Sequence, residues 1–270
     1  MSFSIYLKRN RLDKVLNIKV KDLSVGYNNK PILKEITFDL FAGELICLLG
    51  ANGIGKSTLL KTIMGILPSI TGSVFLNGIP FESITEEDRA KRLAVVLTDS
   101  LRDVNMKAID VVATGRYPYL SWNSKLSAQD HSIVKESLFK FGAGKYADKW
   151  MHNLSDGERQ RIAIARALAQ QTDVILLDEP SAYLDLAHSM ELSVLLKKIT
   201  RDEGKSILMS THDWNTALDI ADRIFWIDGA AQFHVFETNE LKNSGILNNM
   251  LNSPFGYWDE EKNRFEIRGN

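Results

Sequence analysis

Residues 50–58 read Gly-Ala-Asn-Gly-Ile-Gly-Lys-Ser-Thr, a complete Gly-x-x-x-x-Gly-Lys-Ser/Thr pattern. These residue types suit the holding of a triphosphate. Gly50, Gly53 and Gly55 let the backbone turn with its N–H groups facing inward as an anion nest. Lys56 can reach the terminal phosphates, and Ser57 can offer a hydroxyl to Mg²⁺. A second group is Val174-Ile175-Leu176-Leu177-Asp178-Glu179-Pro180, which sets two carboxylates at the end of an apolar run. Asp178 is suited to Mg²⁺, usually through water. Glu179 is then placed to polarise an attacking water, a general-base role typically worth ~10²–10⁴ in rate. A third group, Leu154-Ser155-Asp156-Gly157-Glu158-Arg159-Gln160, supplies a serine hydroxyl, a flexible glycine and a run of helix N-terminal N–H groups. That combination suits a γ-phosphate, although by itself it reads equally as an ordinary helix N-cap.

These groups need elements to place them. Leu45 to Leu49 is a short unbroken apolar run, as a buried parallel strand should be, and it leads directly into the glycine-rich loop. After the loop, Leu59, Leu60, Ile63, Met64 and Leu67 recur at helical spacing, predicting a helix over 57–67 closed by Pro68. Alternation at Leu16, Ile18, Val20, Leu23, Val25 and Tyr27, and again at Ile36, Phe38 and Leu40, predicts half-buried antiparallel strands ahead of the loop. From about 100 to 154 strand patterns vanish, and Ser127-Ala128-Gln129-Asp130 resembles a capping box opening a helix to about Phe141. The β/α pattern then returns: a helix over 158–170, a buried strand over 174–177, a helix over 186–200 and a buried strand over 206–210. A hairpin is expected at Ile224 to Ile227, then an irregular tail with a strand pair near Phe255 to Trp258 and Lys262 to Ile267. The fold class is α/β, with a parallel core sheet bearing the phosphate loop, an antiparallel flank and a helical subdomain.

With 44% hydrophobic residues the chain has ample core, and a formal net charge of −1 gives no general electrostatic reason to bind nucleic acid. The single cysteine, Cys47, falls in a buried strand, so it reads as packing in a reducing compartment. Nowhere does an apolar run approach the ~20 residues a membrane helix needs, and the mildly basic start lacks a signal-peptide core, so a soluble chain is expected. His131, His152, His188 and His234 share no ligand spacing and read as surface or packing residues.

The order of these motifs resembles the nucleotide-binding subunit of an ATP-binding cassette (ABC) transporter, from about Leu16 to Gly229. Gly50 to Thr58 matches Walker A, Leu154 to Glu158 the signature, and Val174 to Glu179 Walker B with its glutamate. Ser181-Ala182-Tyr183-Leu184-Asp185 resembles the D-loop, and Ser210-Thr211-His212-Asp213 carries the switch histidine. The resemblance implies nucleotide contacts at Tyr27, as the aromatic stacking on adenine, at Gly50, Asn52, Gly53, Gly55, Lys56, Ser57 and Thr58, and at Ser155, Gly157 and Asp185. It implies Glu179 and His212 as catalytic and Ser57, Asp178 and Thr98 as Mg²⁺ positions. Two cassettes would pair head to tail, with Ser155 and Gly157 acting on the γ-phosphate held by Lys56 of the other copy. The chain is thus organised as a leader over 1–15, a cassette over 16–229 with its helical subdomain at about 100–154, and an extension over 230–270 packed on the cassette. ATP and Mg²⁺ are the implied cofactors. A homodimer, multi-span permease subunits and, through them, a substrate-binding protein are the implied partners, at the cytoplasmic face of the membrane.

Two departures from the family pattern stand out. Thr98, followed by Asp99, occupies the position of the usual Mg²⁺-contacting glutamine, and Asp156 replaces a glycine of the signature. A carboxylate there would repel the triphosphate unless it points away or meets Arg159. The segment Thr114-Gly115-Arg116-Tyr117-Pro118-Tyr119-Leu120 resembles that of cassettes serving iron-chelate, haem and cobalamin import, or it is simply an aromatic packing cluster. The rival is a soluble cassette ATPase acting on ribosomes or nucleic acid, which would carry two cassettes or a long coiled coil, neither of which is visible. A small-molecule kinase leaves Leu154 to Glu158 and His212 unexplained.

Overall fold

The computed structural model describes residues 14–97, 101, 103–120, 125–182, 184–251, 256–262 and 264–267. Thr98, Asp99 and Tyr183, all singled out above, lie outside the described residues, as do residues 1–13 of the leader.

In chain order the strands are β1 (Leu16–Tyr27), β2 (Lys30–Phe41), β3 (Leu45–Gly50), β4 (Thr71–Leu76), β5 (Ile79–Pro80), β6 (Leu93–Val96), β7 (Val174–Leu177), β8 (Ser206–Ser210), β9 (Arg223–Ile227), β10 (Phe233–Glu237), β11 (Gly256–Asp259) and β12 (Arg264–Ile267). The even-handed apolar runs form one six-stranded sheet, ordered β10-β9-β3-β8-β7-β6. All its neighbours are parallel except the edge pair β10–β9. The alternating strands form a second, antiparallel sheet, ordered β2-β1-β4-β5.

A strand buried on both faces sends successive side chains to opposite cores. Leu45, Cys47 and Leu49 of β3 join Ile175, Leu177, Ile207 and Met209 in a core shared with Val112, Leu138, Met151 and Ile162 of the helical region. Ile46 and Leu48 join Val174, Leu176, Leu208 and Phe225 in a second core closed by Val20, Val25, Ile36 and Leu40 of the antiparallel sheet. The six-stranded sheet is therefore the middle layer, and its strand ends are gripped from both sides. Burial pushes the Cys47 thiol pKa up, as expected for a packing residue.

Several expectations hold. The Ser127–Asp130 capping box is present, and the helix it opens runs Ala128–Lys140. Three expectations need correction. The phosphate-loop helix spans Lys56–Ile63, ending well before Pro68. Gly65 takes φ +76°, and Ile66 N–H reaches back to Lys61 O at 2.9 Å, so a glycine C-terminal cap stops the helix first. The hairpin strand β9 also pairs in parallel with β3, which puts it inside the core sheet as well as in a hairpin with β10. The tail holds the expected strand pair, β11–β12, but is otherwise less irregular than expected, adding the short helices Thr238–Lys242 and Ile246–Leu251. In that pair Trp258 is buried, and the Phe265 ring meets Trp214 edge-on at 6.2 Å.

The two sheets are tied by a buried ion pair. Arg223, at the start of β9, donates to Glu44 (Nη2 to Oε2, 2.7 Å), and Glu44 accepts from Phe41 N–H at 3.0 Å. Both side chains are about 95% buried, so removing one partner strands a charge in a dry site. Glu44→Ala is expected to destabilise the chain by about 3–5 kcal/mol, read as an earlier midpoint in urea titration.

Candidate functional site

The phosphate loop leaves the carboxyl end of β3 and enters the helix Lys56–Ile63 at Gly55, whose φ is +115°. That backbone favours glycine, and a Cβ there would also press on the Ile32 side chain at 3.0 Å. The helix consequently starts without a side-chain cap and without an acid in its first turn. Its leading N–H groups suit an external anion, which is the fit a triphosphate needs. Asn52 is exposed on the loop, and Thr58 is buried in the first turn.

Lys56 is buried. Its Nζ donates to Gly50 O at 2.8 Å and Ala51 O at 3.2 Å, and lies 3.6 Å from Glu179 Oε1. The loop thus wraps its own ammonium and points it at the end of β7. There Asp178, also buried, accepts from Ser57 Oγ at 3.0 Å and from Ser210 Oγ at 2.7 Å on one oxygen. Ser210 Oγ accepts in turn from the Glu179 N–H at 2.8 Å. Glu179 stands at φ +45°, a left-handed backbone that costs a non-glycine residue about 1–3 kcal/mol and persists only when its surroundings enforce it. The Ser210 bond is one such constraint. The Glu179 side chain is a quarter exposed and lies 3.8 Å from Nδ1 of His212, which is mostly exposed at the mouth of the site. Tyr27, at the end of β1, places its hydroxyl 3.4 Å from Thr58 Oγ1 and leaves half its surface open.

The remaining expected residues lie elsewhere. Ser155 caps the helix Asp156–Ala169 through a reciprocal box: Glu158 N–H donates to Ser155 Oγ at 3.3 Å, and Ser155 N–H donates to Glu158 Oε2 at 2.8 Å. The Ser155 hydroxyl oxygen accepts in that role. Asp185 caps the next helix, Leu186–Glu203, and the His188 backbone N–H, 2.9 Å away, holds its carboxyl below the usual carboxylate range. Ser155, Gly157 and Asp185 line a cavity of about 420 Å³ with Tyr146, Arg161, Leu184 and His188, and no phosphate-loop residue is among its walls. Asp156 meets Arg159 in an ion pair, which answers its charge locally.

The structure therefore gathers Lys56, Ser57, Asp178, Glu179 and His212, with Tyr27 and Thr58 beside them, and leaves Ser155, Gly157 and Asp185 in a separate cavity. Sequence reasoning missed the part played by Ser210; the available signal was a hydroxyl at the last position of a buried apolar strand. Among the described residues no cluster of three His, Cys, Asp or Glu side chains could hold a metal. Ser57 and Asp178, hydrogen-bonded to each other, are hard-oxygen groups of the kind that could hold Mg²⁺ together with substrate oxygens.

A family model described as ABC transporter matches residues 33–182. The chain belongs to the ABC transporter family. It is 38% identical over 94% of its length to an uncharacterized ABC transporter ATP-binding protein of Methanocaldococcus jannaschii, covering 87% of that protein. It is 37% identical to the iron(3+)-hydroxamate import ATP-binding protein FhuC of Bacillus subtilis, over 74% of this chain and 75% of the other. Among solved structures it resembles cbiO1 from Clostridium perfringens, part of the ABC transporter complex cbiONQ, with a TM-score of 0.74 and 26% identity over 88% of this chain and 94% of that one. The cassette has the ABC ATPase fold, binds ATP and hydrolyses it to power transport. Cassettes of this kind dimerise and act with membrane permease subunits. Among the described residues no helix is long and apolar enough to cross a membrane.

Ser210→Ala removes both the bond to Asp178 and the bond that steadies Glu179. It is expected to lower kcat for ATP about tenfold, the equivalent of one to two hydrogen bonds, with nucleotide affinity little changed in a binding titration.

Proposed function

We propose that this chain is the ATP-hydrolysing subunit of an importer for iron chelates of the siderophore class, working as a pair of identical cassettes on the cytoplasmic face of the membrane beneath a multi-span permease fed by a substrate-binding protein. The observation that carries the paired reading is the split site: Lys56, Ser57, Asp178 and Glu179 converge at one set of strand ends, while Ser155 and Gly157 line a cavity of their own. Two copies arranged head to tail make both halves useful, since each helix start at Ser155 then faces the phosphates held by the other copy's loop. The chelate class is supported by the curated relatives, which include import proteins named for iron(3+)-hydroxamate, achromobactin, petrobactin and ferric enterobactin.

Each residue has a task that its geometry suits. The loop N–H groups and Lys56 hold the β- and γ-phosphates. Phosphate entering between Lys56 and Glu179 draws the ammonium's charge away from the carboxylate and leaves Glu179 to polarise a water. His212 lies close enough to Glu179 to orient that water and touch the γ-phosphate from the open side. Tyr27 offers an exposed ring at the rim for stacking on the base. Ser57 and Asp178 would hold Mg²⁺, which when bound neutralises the charge of the phosphate oxygens. Thr98 remains a proposed third position. Asp185, at the start of its helix, completes the wall of the trans cavity.

Lys56→Ala is expected to weaken ATP binding by roughly tenfold to a hundredfold, as loss of a charge-assisted contact implies. Glu179→Gln should keep binding but slow turnover about a hundredfold or more, so that dimers accumulate on gel filtration with Mg-ATP; turnover at the parent rate would remove Glu179 from the base role. Purification of the full chain from detergent-solubilised membranes should bring down a multi-span protein, and vesicles of that complex should accumulate ferric hydroxamate at the expense of ATP. Recovery with ribosomes or nucleic acid instead would refute the transport reading.

A further inference from the structure

Arg116 carries a full charge into the interior: its side chain is only 7% exposed. A buried guanidinium is costly unless its donors are met, and here Nε and one Nη find acceptors in two separate segments. Nε donates to Asp130 Oδ1 at 2.8 Å, in the capping box of the helix Ala128–Lys140. One Nη donates to Ala169 O at 2.8 Å and to Gln171 Oε1 at 3.0 Å, at the carboxyl end of the signature helix Asp156–Ala169. Its plane stacks on the Tyr119 ring at 4.1 Å, and the Tyr119 hydroxyl donates to Gln170 O at 2.8 Å. Beside it, a Cβ on Gly115 would sit 2.4 Å from Arg166 O, so the 114–119 turn lies directly against the helix backbone. The same helix end is tied to β6 by Arg166 Nη2 to Val95 O at 3.0 Å and Gln170 Nε2 to Leu93 O at 3.1 Å. Two of the helix's last carbonyls, which no intrahelical N–H can reach, are therefore satisfied by this one turn.

We propose that Arg116 is a positioning residue for ATP hydrolysis: it locks the Gly115–Tyr119 turn onto the carboxyl end of the signature helix and thereby sets where Ser155 and Gly157, at the amino end, meet the triphosphate of the second copy. The proposal rests on the trans pocket described under Proposed function. Its leverage is geometric. The helix is about 21 Å long, so a tilt of roughly 5° about the clamped end moves the amino end by about 2 Å. Misplacement of about 1 Å at a reacting centre can cost a hundredfold in rate. The turn also presents Tyr117, 58% exposed, at the surface. A lysine could keep the pairing with Asp130, but its compact ammonium lacks the planar fork that spreads donors from Asp130 to Ala169 and Gln171.

The test uses the full chain carrying Arg116→Lys, with Ser155→Ala as the reference. Arg116→Lys is expected to lower kcat about tenfold or more while KM for ATP, set by the chain's own phosphate loop, moves less than about twofold. In the Glu179→Gln background it should shift ATP-driven dimerisation to higher ATP concentration, with a thermal midpoint within about 4 °C of the parent. Tyr119→Phe, which keeps the ring and deletes the bond to Gln170, should show the same pattern at smaller size. Parent-like kcat and dimerisation in Arg116→Lys beside a slow Ser155→Ala would overturn the positioning role alone. Parent-like kcat in both would overturn the trans pocket and the positioning role together. A parallel loss of kcat, ATP affinity and thermal midpoint would make Arg116 a stabiliser of the fold only, and also overturn the proposal.

Discussion

One carboxylate oxygen organises this site. Oδ1 of Asp178 accepts from Ser57, in the helix after β3, and from Ser210, at the end of β8, while Asp178 itself follows β7. Three strands that lie side by side in the parallel sheet are thus joined at their carboxyl ends by hydrogen bonds to a single atom. Because that atom is buried and charged, it holds its partners more firmly than a neutral acceptor would. Ser210 passes the constraint to the Glu179 backbone, keeping it in a conformation a glutamate does not adopt unaided. The position of the Glu179 carboxylate relative to Lys56 follows from that chain of contacts.

Helix starts are the second recurring device. The helix at Lys56 begins with no side chain over its leading N–H groups, and the helix at Asp156 begins with a serine that caps it. Both ends carry the partial positive charge of a helix N-terminus. They sit in different places on one chain, where each suits an anion, and the cavity beside Ser155 includes no phosphate-loop residue. Asp156, which would oppose such an anion, is answered by Arg159.

Much of this was legible beforehand because it depends on local rules. The capping box at Ser127 and the N-cap at Ser155 are visible as spacing, and the buried strands as unbroken apolar runs. Where local rules competed, the reading slipped. Pro68 looked like the end of the phosphate-loop helix, but Gly65 ended it first by taking a left-handed turn. Ile224 to Ile227 looked like half of a hairpin; its other edge lies in parallel beside β3, a pairing between distant segments that no local pattern records. Arg116 sat in a segment readable either as a partner-binding motif or as packing, and the structure shows its guanidinium to be inside.

The sequence alone determined the chemical inventory: glycines where the loop must turn, a lysine and a serine at the start of a helix, two acids at the end of a strand, and a capped serine far downstream. Those are matters of residue type and short spacing, which backbone sterics and side-chain reach decide. Tertiary structure decided which of these groups share a pocket. It drew Ser210 to Asp178, set Ser155 and Asp185 in a cavity away from Lys56, and placed the Arg116 fork between two segments. The reason is that strand order and helix packing are fixed by two cores on opposite faces of one sheet, and burial summed over the whole chain leaves no mark at any single position.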